Sequence, residues 1–112
     1  MSKSRQQLIT RALQKLKVLA SGQQPSAEDA KVIDDEIVPV LSDLSKRNIY
    51  PFGDPDNIED DAFVHLADIL ANSVAADFGQ QQSEEIRLMA ESRLRVLGAE
   101  TLSGQPLQID YF

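Results

Sequence analysis

Residues 57–78 read NIEDDAFVHLADILANSVAADF, and this stretch decides the fold. Phe63, Leu66, Ala67, Leu70, Ala71 and Val74 recur every three or four residues, the period of one α-helical face. Val64, Ile69, Ala75 and Ala76 spread apolar surface well beyond that face. A helix apolar nearly all round is buried on most sides. The stretch is therefore predicted to be the central helix of a small bundle, or one that also faces a neighbouring subunit. Gly79 is its predicted terminator.

The flanking segments carry the same period. Towards the N-terminus, Ser4 and Gln7 have the spacing of a capping box. Leu8, Ile9, Ala12, Leu13, Leu16 and Leu19 then form one face, and Gly22 is the expected left-handed stop. Ser26 is the predicted cap of a second helix, with Glu28 and Asp29 in its first turn, where the helix dipole favours anions. Ala30, Ile33, Ile37, Val40, Leu41 and Leu44 hold its period across Pro39, which predicts one kinked helix rather than two. After the central helix, Ser83 is the expected cap of a fourth. Ile86, Met89, Ala90, Leu94 and Leu97 are read as its inward face, Arg87, Arg93 and Arg95 as its outward one, and Gly98 as its end.

Two stretches break the helical period. Residues 46–57, KRNIYPFGDPDN, hold turn-forming Pro, Gly, Asp and Asn. Their apolar anchors Ile49, Tyr50 and Phe52 imply a loop that is packed down or lies at an interface. Residues 99–112 are expected to be extended. Leu107, Ile109 and Tyr111 alternate with polar residues before Phe112, a strand period of two. A lone strand cannot satisfy its own backbone hydrogen bonds, so it is expected to dock by edge addition on a partner. The predicted class is all-α, a bundle of about four helices, with a domain over 1–98 and a docking arm over 99–112.

Composition narrows the function. The chain has 112 residues, no cysteine and a net charge of −7. Without cysteine there are no disulfides, thiolate nucleophiles or iron–sulfur clusters, which fits an intracellular or virion protein. The N-terminus lacks the apolar core of a signal peptide, and no run approaches the length of a membrane span. Charge is uneven. Lys3, Arg5, Arg11, Lys15 and Lys17 fall in the first twenty residues with no acid among them, whereas residues 28–61 are strongly acidic. That asymmetry suggests electrostatic docking between copies or onto a partner, with the five cations as a basic docking face.

Chemistry finds little support. His65 is the only histidine, with Asp61 and Asp68 one turn from it and Asn72 two turns away. No second histidine or suitably spaced nucleophile accompanies it, so a structural role is expected and no catalytic residue is assigned. Asp54, Asp56, Glu59, Asp60 and Asp61 lack the glycine and bidentate glutamate of a calcium loop, and helix N-terminal charge accounts for most of them. No phosphate-loop, dinucleotide or zinc-protease motif occurs, and neither metal nor cofactor is expected. A helix-turn-helix reading fails because the would-be recognition helix is acidic and phosphate would repel it. A small nucleic-acid-binding or regulatory protein acting through the basic first helix is the alternative reading.

Several segments together resemble a known family. Leu8-Ile9-Thr10-Arg11-Ala12-Leu13-Gln14-Lys15-Leu16-Lys17-Val18 is similar to the "L…AL.KLGV" opening of the head-to-tail connector adaptors of short-tailed phages, the tail accessory or packaged-DNA-stabilisation proteins. Pro25-Ser26-Ala27-Glu28-Asp29-Ala30 resembles the start of their second helix, and Asn48-Ile49 its closing "(G/N)I" turn. Leu66-Ala67 through Ala75-Ala76-Asp77-Phe78-Gly79 resembles their Leu/Ala-rich third helix. The likeness covers residues 5–97, and the order and spacing of the motifs carry it. Lys17 departs from the usual glycine or small residue, the second helix lacks the tryptophan often found near its end, and the chain is shorter than several relatives.

The resemblance implies a virion protein without catalytic activity, made in the host cytoplasm. It would form a ring of about twelve copies beneath the portal and continue the DNA channel. Its implied partners are the portal protein, tail or neck proteins, further copies of itself, and packaged DNA passing without sequence-specific contact. No membrane is implied. Leu107, Ile109, Tyr111 and Phe112 would then be the arm that reaches the portal or a neighbouring subunit.

Overall fold

The computed structural model describes residues 2–18, 22–51 and 54–103. The elements are β1 (Ser2–Lys3), α1 (Arg5–Lys15), α2 (Ala27–Lys46), β2 (Ile58–Glu59), α3 (Asp60–Ser73), a 3-10 turn (Ala75–Phe78) and α4 (Glu84–Ser103). The fold is all-α, as the periodicity predicts. α3 lies against all three other helices and is the centre of the bundle. Leu8, Leu13, Ile33, Ile37, Leu44, Leu70 and Leu94 are fully buried in one continuous core. Each such side chain contributes roughly 1.5–3 kcal/mol by leaving water.

The predicted helix starts are present. Gln7 N–H donates to Ser4 Oγ at 3.2 Å, and Ser4 N–H donates to Gln7 Oε1 at 2.8 Å, closing the capping box. Asp29 N–H donates to Ser26 Oγ at 3.1 Å, and Ile86 N–H to Ser83 Oγ at 3.3 Å. α2 runs through Pro39 as a single helix. Pro39 is exposed, so the carbonyl left without its helical donor lies on the solvent side.

Helix ends differ more from expectation, and three share one mechanism. After α1, Val18 N–H donates to the Leu13 carbonyl at 3.1 Å and Lys17 N–H to the Gln14 carbonyl at 3.0 Å. After α2, Ile49 N–H donates to Leu44 O at 2.9 Å and Asn48 N–H to Ser45 O at 3.0 Å. After the 3-10 turn, Gln80 N–H donates to Ala75 O at 2.9 Å and Gly79 N–H to Ala76 O at 3.1 Å. These are Schellman closures, whose pivot residue must be left-handed. The pivots are Lys17 (φ 61°), Asn48 (φ 58°) and Gly79 (φ 74°). Gly22 is left-handed too, but α1 has already ended, so it is not the terminator the sequence suggested.

Lysine is poorly suited to this geometry, because its Cβ crowds the carbonyl that follows. Lys17→Gly is therefore expected to stabilise the fold by about 0.5–1 kcal/mol, relief of strain outweighing the added freedom of the unfolded chain. A higher urea midpoint with an unchanged slope is the readout. A lower midpoint would contradict the assignment.

Three further expectations are corrected. The central helix is shorter than residues 57–78: it ends at Ser73, and the chain tightens into a 3-10 turn. Two short strands are present among the described residues. β1 and β2 pair antiparallel, with Ser2 opposite Glu59 and Lys3 opposite Ile58, and tie the N-terminus to the start of α3. Two-residue strands are too short for alternation to reveal them. Gly98 does not end α4, which continues to Ser103, so residues 99–103 are helical and not part of an extended arm. A Cβ at Gly98 would meet the Ile49 carbonyl oxygen and Pro51 Cδ at 3.4 Å, so the glycine lets α4 rest on the 49–51 turn. Residues 104–112 lie outside the described residues, including the predicted arm positions Leu107, Ile109, Tyr111 and Phe112.

Candidate assembly surface

α4 carries the chemistry the sequence reading misplaced. Its inward side holds Ala90, Leu94, Leu97 and Gly98, but also the charged pair Arg87 and Glu91. Glu91 is 3% exposed. A buried carboxylate needs partners to remain charged. Arg47, at the end of α2, donates to it from Nη1 at 3.3 Å and from Nη2 at 2.8 Å. Arg87 Nη1 donates to Glu91 Oε2 at 3.0 Å and also pairs with Glu84. Arg47 Nε donates to Asp43 Oδ2 at 3.0 Å. One carboxylate thus joins the tip of α2 to the middle of α4.

The electrostatics follow from this geometry. Burial alone pushes Glu91 up, but the hydrogen bonds and charges of Arg47 and Arg87 outweigh it and hold Glu91 below the ordinary carboxylate range. Arg47 is pushed up, chiefly by its hydrogen bond to Glu91 and then by that to Asp43. Arg87 is raised and Glu84 lowered, each chiefly by their mutual hydrogen bond.

The five predicted cations do not make one free basic face. Arg5 pairs with Asp34 on α2, and Lys15 Nζ lies 2.7 Å from Asp68 on α3. These two fasten α1 to its neighbours. Lys3 sits over the Phe63 ring, 5.7 Å from its centroid. Arg11 donates to Gln14 on its own helix at 3.3 Å. Lys17 occupies the left-handed pivot. The predicted interface loop also turns inward. Ile49 is 1% exposed and belongs to the core. Tyr50 is half-buried, and its Oη donates to Glu59 Oε1 at 3.4 Å. Burial, reinforced by the charge of Glu59, pushes the Tyr50 phenol up. Phe52 lies outside the described residues.

The candidate chemical sites resolve into structural roles. Asp54 Oδ1 accepts from Asp56 N–H at 2.9 Å, a local turn. His65 is half-buried on α3, and its side chain makes no hydrogen bond or ion pair among the described residues. A concavity of about 650 Å³ lies open between the starts of α1 and α2. Its cations Arg5 and Lys31 already face Asp34 and Asp35.

Beside the exposed Glu84, Glu85, Ser92, Arg93 and Arg95, α4 also exposes large apolar side chains. Ile86, Leu88, Met89 and Val96 are 48–55% exposed. Ile86 and Met89 were expected to face inward. Both residue sets on this helix, 86/89/93/96 and 90/94/97, have helical spacing, and periodicity alone cannot rank them. The choice falls to Arg47, which draws Glu91 inward and turns Ile86 and Met89 out. A carboxylate as inward anchor was the missing signal. Its link to Arg87 four residues earlier is readable in the sequence; its link to Arg47 on another helix is not.

No family model matches this chain, and no curated protein matches it.

Proposed function

We propose that this protein is a head-to-tail connector adaptor, a structural subunit that forms a ring beneath a phage portal. In this reading it extends the DNA channel, gives tail or neck proteins a platform and helps retain packaged DNA. It acts in the virion neck, without catalysis, and contacts DNA through no sequence-specific groups.

The observation that carries the reading joins the resemblance to the backbone. The family pattern places Gly in "KLGV" and Gly or Asn in "(G/N)I". Those two places are Lys17 and Asn48, the two non-glycine residues with positive φ among the described residues. The pattern's preference therefore has a physical cause in this fold, since both helices close through a left-handed pivot. The exposed apolar side of α4 adds the kind of surface an assembling subunit needs.

Deleting residues 105–112 tests the docking arm. The helical fold and its thermal transition should persist, because the core lies within residues 8–94, while co-sedimentation with the portal should fall at least about tenfold. If the deletion unfolded the protein, those residues would belong to its own core. Undiminished portal binding would remove the arm from the docking mechanism.

A further inference from the structure

We propose that the outer face of α4 is a self-association surface that docks on the Asp60–Val64 edge of a second copy of this chain. The inference deepens the connector reading and rests on it for closure of the contacts into a ring.

The face has the form of a helix seam. Ile86, Met89, Arg93 and Val96 are spaced three, four and three residues apart, the spacing that keeps one stripe turned towards a partner helix. Exposed valines and leucines scattered singly need no explanation. Here Ile86, Met89 and Val96 lie on one stripe, with Leu88 elsewhere on the exposed side.

Charge identifies the occupant. Arg5, Arg47 and Arg87 each pair with a carboxylate. Arg93, exposed on the stripe, and Arg95, exposed beside Leu88 off it, have, like Arg11, no carboxylate partner among the described residues. The complementary surface must therefore be apolar and carry carboxylates. The chain presents such a surface itself. Val64 on α3 is 47% exposed, and Asp60 and Asp61 lie four and three residues before it, one turn away on the same helix. Glu59 continues the acidic edge.

In one subunit Ile86, Met89 and Val96 on α4 and Val64 on α3 all remain exposed. Between copies, α4 of one meets α3 of the next. Such a contact joins unlike surfaces and repeats from copy to copy, and rings form when its rotation closes.

Sedimentation velocity over a concentration series tests the surface in the full-length chain. The wild type should self-associate. The pair Met89→Glu and Val96→Glu should sediment as a monomer with an unchanged helical circular dichroism spectrum, because neither side chain belongs to the core. Arg93→Glu alone should weaken association at least about tenfold. Adding Asp61→Arg to that variant should restore it, since the attraction is only reversed in sign.

A wild type that associates while the α4 variants associate equally well would overturn the proposal and leave the connector reading standing. Failure of Asp61→Arg to rescue would overturn the pairing with α3. A wild type that stays monomeric at every concentration would overturn the self-association surface, whereas the connector reading is decided separately by mixing with the portal.

Discussion

Glu91→Ala is expected to destabilise the fold by about 2–3 kcal/mol. Its carboxylate accepts from Arg47 twice and from Arg87 once, and only 4% of its side chain is exposed. Breaking a fully buried ion pair by removing one partner costs roughly 3–5 kcal/mol. The expected loss is smaller here because the arginines are 40% and 34% exposed and keep Asp43 and Glu84. Urea unfolding near neutral pH provides the measurement. A loss below about 0.5 kcal/mol would mean the network contributes nothing net.

The same site sets a pH dependence. Glu91 is lowered in the folded state, so its contribution is fully present above the unfolded carboxylate value of about 4.3. It is lost as pH falls through the folded value. Glu91→Gln removes that titration. Wild type and Glu91→Gln should therefore differ most near neutral pH, and the gap should narrow on the acid side of about pH 4. A gap that widened in acid would reverse the assigned direction.

Leu94→Ala is expected to cost about 3 kcal/mol, within the 2–5 kcal/mol range of buried leucine truncations. Leu94 is fully buried, while the inward neighbours it leaves, Ala90 and Leu97, are small or only partly buried. Little nearby can collapse into the space. Met89→Ala, on the same helix, should change stability by less than about 0.5 kcal/mol. The comparison fixes the rotation of α4: a reading of Met89 and Leu94 as equal core residues predicts similar losses from both. Equal losses in urea unfolding would contradict the packing described here.

Legibility followed the range of the interaction. Ser4, Ser26 and Ser83 cap their helices through bonds three residues away, and sequence reveals them. The central place of residues 57–78 is readable because apolar residues surround that helix. Lys17 is not legible as a terminator, since nothing local marks a lysine as left-handed; the Schellman bonds and the Gln80 amide on the Leu16 carbonyl hold it there. The rotation of α4 was out of reach because Arg47 and Glu91 stand 44 residues apart. The basic face dissolved for the same reason: Arg5 and Lys15 find acids on other helices. Gly98 signalled a helix end but marks a close approach to Ile49 and Pro51 instead.

We propose the chain as a portal-docking ring subunit. Mixing the full-length protein with the phage portal it is proposed to bind, followed by sedimentation and electron microscopy across a salt series, is the most direct test. The protein is expected to leave the monomer fraction, travel with the portal and appear as a closed ring on one portal face. A protein that stays monomeric and unbound at every salt concentration would contradict it.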